Sequence, residues 1–292
     1  MANKIRVAWF ISQLSLKKLM RNPKIWVMIF LLGFHMWDAF LTVRYKSAEL
    51  GLSVSPWSIP FIFNTDLTLA MLLMMVVVWF CDAPFMDEHQ PYTIARSGRT
   101  VWFYGQVVYI IKGTFICLLL IVFFSILPII DRFALSDQWG RVYTELASQD
   151  FIKESGSILN FNVSPEIIGR YSPVIATLLS TSLFWLNSIF LCLLMFALNL
   201  KLPKYFGTGL ALFVAFLGGG SSIYNNLGSF TDVLKKIIPT CWCKIDNISN
   251  NPITGRVSFV YAYTFLFIAI IALIIIARFF MKRYIVEILP HD

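Results

Sequence analysis

Long apolar runs separated by short polar segments dominate the pattern along the chain. A helix needs about 20 apolar residues to cross the hydrocarbon core of a bilayer, which is roughly 30 Å thick. Runs of this kind lie at 24–43, 61–81, 101–130, 173–200, 205–223 and 258–281. The pattern therefore predicts an all-α integral membrane protein with six transmembrane helices.

The composition supports a membrane protein and excludes a soluble domain. Charged residues make up 14% of the chain and apolar residues 58%, whereas soluble domains carry about 25% charged residues. The 27 phenylalanines and 9 tryptophans leave too few polar groups for a water-facing surface. The net charge of +8 alone would fit nucleic acid. With six apolar runs, we instead assign the basic residues to membrane orientation and exclude nucleic-acid binding.

Lysines and arginines are densest before the first, third and fifth apolar runs and after the sixth. Basic residues in short connections concentrate on the cytoplasmic side of a membrane. An even number of spans also places both termini on one side. We therefore expect both termini in the cytoplasm and two parts of the chain, a cytoplasmic interfacial helix at 1–22 and a six-span domain at 23–292.

Residues 1–22 predict an amphipathic helix that lies on the membrane surface. Charged residues recur too late in this stretch for a signal peptide. Asn22 fits the N-cap of the next helix and Pro23 its first position. One side of the helical wheel carries Ile5, Trp9, Leu16, Leu19 and Met20, and the other carries Lys4, Arg6, Lys17, Lys18 and Arg21.

The polar segment DAPFMDEHQPYTIARSGR, at 82–99, separates the second and third runs. Pro91 fits the first turn of a short helix, and Gly98 fits a left-handed residue that ends it. Asp87 and Glu88 precede this helix and Arg96 lies near its end, an order that complements the helix dipole. The segment predicts a short charged helix, and a well-capped solvated turn is the alternative.

The run DAPFMDEHQPYTIARSGRTVWFYGQ resembles a segment of bacterial ABC-2 type permeases, where an Asp-x-Pro stretch, an Arg-x-Gly-Arg-like turn and an aromatic pair lead into the third span. The whole chain looks like that family, with an amphipathic start, six spans and a sizeable outer segment before the last span. The resemblance implies a coupling helix that docks on a separate ATPase. The residues assigned to this contact are Met86, Asp87, Glu88, His89, Gln90, Tyr92, Arg96 and Arg99.

The resemblance also implies partners and a location. The chain would associate with ABC ATPase subunits, a second permease chain and membrane lipid in the bacterial plasma membrane. The sequence contains no G-x-x-x-x-G-K-[ST] loop, so ATP and Mg would be bound by the partner ATPase. We expect no cofactor in this chain and a transporter subunit with no enzymatic activity of its own.

Ionisable residues inside apolar runs are candidate functional groups. His35 and Asp38 lie one helical turn apart, but Trp37 and Arg44 beside them favour anchoring at the membrane interface over a metal site or a proton relay. Lys112 lies about three turns into the third run, where its chain can snorkel to the membrane edge. The three histidines form no HExxH motif, and we expect no metal site.

Small residues recur every four positions along the fifth run. They are Gly207, Ala211, Ala215 and Gly219. Such a face lets another backbone approach closely. Two interpretations stay open, a helix contact within the chain and a subunit interface beside a translocation path.

These features together predict the permease subunit of an ATP-driven exporter of an amphipathic substrate such as a peptide, an antibiotic or a lipid-like molecule. One alternative is a membrane scaffold or immunity protein that does not transport. Another is an ion-coupled carrier. The sequence shows no internal repeat and predicts no broken central helix rich in acidic residues, which weakens the carrier.

Overall fold

A computed structural model describes residues 2–83, 90–148, 161–203, 205–220, 229–249 and 256–283. Within these ranges the chain is helical, without a named β-strand. The α-helices are α1 (Ala2–Arg21), α2 (Pro23–Leu50), α3 (Ile59–Asn64), α4 (Asp66–Trp79), α5 (Gln90–Ser97), α6 (Arg99–Ile126), α7 (Gly140–Leu146), α8 (Pro165–Arg170), α9 (Pro173–Asn199), α10 (Phe206–Gly219), α11 (Ser229–Ile237) and α12 (Phe259–Arg283). Short 3₁₀ helices cover Leu127–Arg132, Pro239–Cys243 and Ile245–Asn247.

Among the described residues, the four helices long and apolar enough to cross a membrane are α2, α6 with the 3₁₀ turn after it, α9 and α12. The start of α2 follows from its cap, because the Asn22 side chain accepts a hydrogen bond from the Lys24 N–H at 3.1 Å and Pro23 occupies the first helical position. Gly51 ends α2 with a φ of 64°, a conformation that glycine tolerates without steric cost.

The prediction of six transmembrane helices is confirmed in part: four of the runs form helices long enough to span a membrane, whereas the second and fifth runs form shorter helices in the part of the chain that the structure describes. The second run is interrupted at Thr65, whose extended backbone separates α3 from α4. Both α4 and α10 contain 14 residues, which corresponds to about 21 Å of helix, shorter than the roughly 30 Å of a bilayer core.

Helix α9 occupies the centre of the bundle and α12 its periphery. In the apolar windows of these helices, 67% of α9 is buried inside the protein but only 11% of α12. Aromatic pairs join α9 to its neighbours: the Phe184 ring stacks on Phe63 of α3 at 4.4 Å between centroids, and Trp185 lies 5.4 Å from Phe115 of α6. Side chains that face α9 therefore form the core of the molecule.

Helix α1 packs along α6 through a face that the helical wheel does not predict. Its buried residues are Ala8, Ile11, Ser12, Ser15 and Leu19. Of the predicted apolar side, Ile5, Trp9 and Met20 are exposed. The close approach depends on Gly105 of α6, where a Cβ atom would lie 2.8 Å from the Ile11 side chain. The face of α1 that contacts α6 carries small side chains together with Ile11 and Leu19, whereas Ile5, Trp9 and Met20 are exposed.

The two ends of the bundle carry different elements. The α5 end contains α1, α5 and the start of α6, and it is tied to the end of α12 because Arg278 donates to the Tyr104 hydroxyl at 3.1 Å. The α7 end contains α7, α8 and a buried aromatic cluster in which the Phe61 ring lies 4.9 Å from Trp139 and 5.3 Å from Tyr143.

Candidate functional site

Helix α5 presents one packed face and one open face. Gln90 and Ile94, one turn apart, are 5% and 6% exposed and anchor the helix. On the other side Tyr92 is 70% exposed, and Arg96 is also exposed. A large tyrosine beside a guanidinium on an open helix face can contribute both apolar contact and orienting charge to a partner. Of the predicted coupling residues, Met86, Asp87, Glu88 and His89 lie outside the described residues.

The junction between α5 and α6 is well defined. The Gly98 N–H donates to the Ile94 carbonyl at 2.9 Å, and Gly98 has a φ of 81°, which glycine adopts far more readily than other residues. Arg99 then donates to the Lys282 carbonyl near the end of α12 at 3.2 Å. The sequence assigned Arg99 to an ATPase surface, whereas the structure directs one of its N–H groups to this chain's own α12. The junction therefore links α5, α6 and α12.

The small face of α10 packs inside the chain. Ala211 and Ala215 are fully buried. A Cβ atom at Gly207 would lie 2.6 Å from the Met195 carbonyl oxygen of α9, and one at Gly219 would overlap the backbone of Ala70 in α4. Of the two interpretations left open by the sequence, the structure contains the helix contact within the chain. These four residues leave no surface for a second subunit, and the exposed side of α10 instead carries Phe206, Leu210, Phe213 and Phe216.

The sequence analysis did not predict the buried charges between α4 and the segment after α10. Lys244 is 4% exposed. Its ammonium group forms an ion pair with the Asp66 carboxylate at the first residue of α4. It also donates to the Gly219 carbonyl at the last residue of α10, at 2.9 Å. A helix N-terminus favours a carboxylate and a helix C-terminus favours a cation, so both helix ends stabilise this pair.

A second polar contact lies beside the ion pair. Asn64, the last residue of α3, donates from its amide to the Asp246 carboxylate at 2.7 Å. Asn64 and Asp66 flank the break at Thr65, and their partners Asp246 and Lys244 are likewise two residues apart. The local signal in the sequence is one lysine placed among Cys, Trp and Ile in CWCKIDN, because a cation in such surroundings needs a partner when it is buried.

An exposed ion pair between Arg256 and Glu166 lies at the α7 end, near this site. Arg256 donates to both Glu166 carboxylate oxygens, at 2.8 and 3.4 Å, and Arg170 lies 3.4 Å from the same carboxylate. The hydrogen bond from Arg256 lowers the pKa of Glu166 below its ordinary value of 4.5, and burial opposes this shift. The same hydrogen bond raises the pKa of Arg256, again against the effect of burial.

The ion pair predicts a small dependence of stability on pH. A carboxylate whose pKa is lowered by folding stabilises the protein above its unfolded pKa and loses this contribution as the pH falls through its folded pKa. Glu166→Gln is therefore expected to lower the thermal midpoint slightly at pH 7, with the difference from wild type shrinking below pH 4.5. Thermal unfolding in detergent, measured at pH 7 and below pH 4.5, would check this. A difference in thermal midpoint between Glu166→Gln and wild type that grows in acid would contradict it.

Other charges tie the helix ends together. At the α5 end, Lys24 pairs with Asp82 and donates to the Cys81 sulfur at 3.2 Å. At the α7 end, Arg44 donates to the Pro128 carbonyl at 2.6 Å and pairs with Asp131.

Lys112 of α6 contacts α1. It donates to the Ser12 hydroxyl at 2.8 Å, and its ammonium lies 2.9 Å from the centroid of the Trp9 ring. A cation so close to an indole face is stabilised by the ring quadrupole. Lys112 thus binds α1 to α6.

Metal chemistry receives no support from the described part of the chain, which holds no group of three or more potential ligands among His, Cys, Asp and Glu. His35 instead lies 3.2 Å from the Thr68 hydroxyl.

No family model, curated protein or solved structure matches this sequence.

Proposed function

We propose that this chain is the membrane subunit of an ATP-driven exporter, with both termini in the cytoplasm and α5 docked on a separate ATPase. The observation that best supports this is the open face of α5, where Tyr92 is 70% exposed on a helix held by Gln90 and Ile94. A rigid helix at the end of a bundle can pass the movement of a partner to the helices behind it. In this proposal α4 and α10 complete six membrane passes as short helices.

The connections of α5 suggest which helices would receive the movement. Gly98 joins α5 directly to α6, and Arg99 ties this junction to the Lys282 carbonyl of α12. ATP-driven displacement of α5 would therefore reach two of the long apolar helices. ATP binding can favour one conformation of the complex only as far as ATP binds that conformation more tightly than the other. The substrate would be amphipathic, such as a peptide, an antibiotic or a lipid-like molecule.

Purification of the tagged chain from its native membrane tests the proposed partner. We expect an ATP-hydrolysing subunit to co-purify, and Tyr92→Ala to reduce its recovery. Loss of an aromatic anchor at an interface costs about 2 kcal/mol, which corresponds to roughly thirtyfold in affinity. Arg96→Glu should weaken recovery further at low salt, because rim charges steer association.

Arg141→Glu provides the matched control, because Arg141 is exposed on α7 at the opposite end of the bundle. This variant reverses the same charge and should leave the recovered ATPase activity unchanged. Absence of any ATPase under all nucleotide conditions would refute the proposal. Equal losses with Arg141→Glu and Arg96→Glu would refute docking at α5.

A second candidate function is an ion-coupled carrier. It is favoured by the break at Thr65 and the buried Asp66–Lys244 pair beside it, since interrupted helices and buried charges mark ion and substrate sites in transporters. Proteoliposomes that contain this chain alone would distinguish the two functions. Movement of the amphipathic cation ethidium driven by a pH gradient, without any ATPase, would favour the carrier.

A further inference from the structure

The segment at 229–249 begins in a helix with exposed Val233 and Ile237, and from Pro239 onward it is folded into the protein. It comprises α11 and the two 3₁₀ helices that follow. Thr240, Cys241, Trp242, Cys243 and Ile245 are each at most 1% exposed. We call this stretch the connecting segment, because it joins α10 to the chain that enters α12.

Close backbone contact seats the connecting segment against α10. The Thr240 hydroxyl donates to the Val214 carbonyl at 2.9 Å, and a Cβ atom at Gly218 would overlap Thr240. On its other side, the Trp242 ring lies 5.2 Å from Phe265 of α12. The segment thus fills a space between α10 and α12, and its two cysteines lie inside that space.

Four polar side chains fasten this segment to the break in the second apolar run. Asn64 holds Asp246 and Asp66 holds Lys244. We call these four residues the clasp. The two helix residues come from the end of α3 and the start of α4, so the clasp fixes the connecting segment and the interrupted helix against each other.

The exposure of the two charges favours a conformational role for the clasp, because Lys244 is buried whereas Asp66 is 29% exposed. Removing charges from water costs nearly as much as their attraction returns, and well-packed apolar residues often give equal or greater stability. The pair therefore contributes little to net stability, but loss of Asp66 would leave the Lys244 ammonium buried without its counter-charge, which strongly disfavours the closed arrangement. Specifying one arrangement over others is the best-attested role of such pairs.

We propose that the clasp is a latch that holds the connecting segment, with Cys241 and Cys243, closed against α10 and α12, and that its opening releases the segment as a unit. This inference requires neither the ATPase nor transport, so it can stand if the proposed function fails. Local opening of such a segment occurs at lower free energy than global unfolding.

The cysteines of the chain provide the test. Cys241 and Cys243 report on the connecting segment, while Cys117 and Cys192 are fully buried in α6 and α9 and report on global unfolding. The full-length protein in detergent is treated with a charged methanethiosulfonate reagent, and modification at each cysteine is followed by peptide mass spectrometry. In wild type, we expect all four of these cysteines to react slowly.

Asp66→Asn and Lys244→Met are expected to speed modification of Cys241 and Cys243 by about tenfold or more, because the local opening becomes more favourable. Cys117 and Cys192 should remain protected. The double variant Asp66→Leu/Lys244→Met leaves no unpaired charge and should keep Cys241 and Cys243 protected as in wild type, because apolar replacement of an ion pair is often neutral or stabilising. Lys236→Met is the matched control, since Lys236 is an exposed lysine of the same segment, and it should behave as wild type.

Three results would overturn the latch. The single variants could react as slowly as wild type at Cys241 and Cys243. All four cysteines could become reactive together, which would assign the clasp to overall stability. The apolar double variant could expose Cys241 and Cys243 as fully as the single variants, which would show that lost packing, and not an unpaired charge, opens the segment.

Discussion

Trp242→Ala is expected to lower the free energy of unfolding by about 3–5 kcal/mol, the range typical of a buried tryptophan truncated in a core. The Trp242 side chain is fully buried, and its indole N–H donates to the Lys235 carbonyl at 2.8 Å. Its ring also packs at 5.6 Å from Tyr261 of α12. Alanine would leave a cavity between the connecting segment and α12 and would remove the hydrogen bond to the Lys235 carbonyl.

Two matched variants separate the causes of this loss. Trp242→Phe keeps most of the ring packing and removes the hydrogen bond, so it should cost about 1 kcal/mol plus a smaller cavity term. Trp26→Ala removes an indole that is 59% exposed and should cost much less than Trp242→Ala. Unfolding by sodium dodecyl sulfate in mixed micelles, followed by circular dichroism, gives the three free energies. Equal losses for Trp26→Ala and Trp242→Ala would contradict the packing described here.

Gly219→Ala is expected to destabilise the protein by about 1–3 kcal/mol through overpacking. The added methyl group would overlap Ala70 in α4, so α4 and α10 would have to separate. Backbone atoms lie in the way, and they cannot move aside as the end of a flexible side chain can. Gly207→Ala should behave similarly, because its methyl group would meet the Met195 carbonyl oxygen of α9.

Gly209→Ala is the control for both substitutions. Gly209 lies in the same helix, is exposed and has no atom within 4 Å of the position a Cβ would take. Alanine is preferred over glycine in a helix by about 1 kcal/mol, so this variant should be neutral or slightly stabilising. The same detergent titration compares the variants. A loss at Gly209 that matches the loss at Gly219 would contradict overpacking as the cause, because a methyl group at Gly209 meets no atom within 4 Å.

Local signals in the sequence predict the long helices and the short helix α5 well. The apolar runs give α2, α6, α9 and α12 to within a few residues at their starts, because Asn22 and Pro23 or similar caps define those starts. Pro91 and Gly98 predict α5 in the same way, since each restricts the backbone by its own chemistry. These helices are determined by residues close together in the sequence, so a single sequence is enough to predict them.

The break at Thr65 and the clasp depend on residues far apart in the chain. Asn64 and Asp246 are separated by 182 positions. The stretch Asn64-Thr65-Asp66 carries the residue types of a helix start, a signal that the sequence analysis does not use. Individual charges in a loop give no indication of their partner. The packing face of α1 was missed for a related reason, because Ser12 and Ser15 are buried against α6 while Ile5, Trp9 and Met20 stay exposed.

The proposed docking face of α5 could be predicted from the sequence only as a segment with exposed charge. Sequence reasoning places Tyr92 and Arg96 on α5, and the structure exposes both. It could not foresee that Arg99 would bind the Lys282 carbonyl, because that contact joins residues 183 positions apart. The subunit interpretation of the α10 stripe failed for the same physical reason, since α4 and α9 already cover that face.

The contact between α1 and α6 has a practical consequence for handling the protein. Gln106 donates to Ser15 at 3.3 Å, and Lys112 donates to Ser12. Deletion of the first 21 residues would therefore remove these hydrogen-bond partners from the amide of Gln106 and the ammonium of Lys112 on the mostly apolar helix α6. Helix α1 is therefore an integral part of the packed helix bundle. Truncated versions should be harder to extract intact than the full chain, and affinity tags are better placed elsewhere.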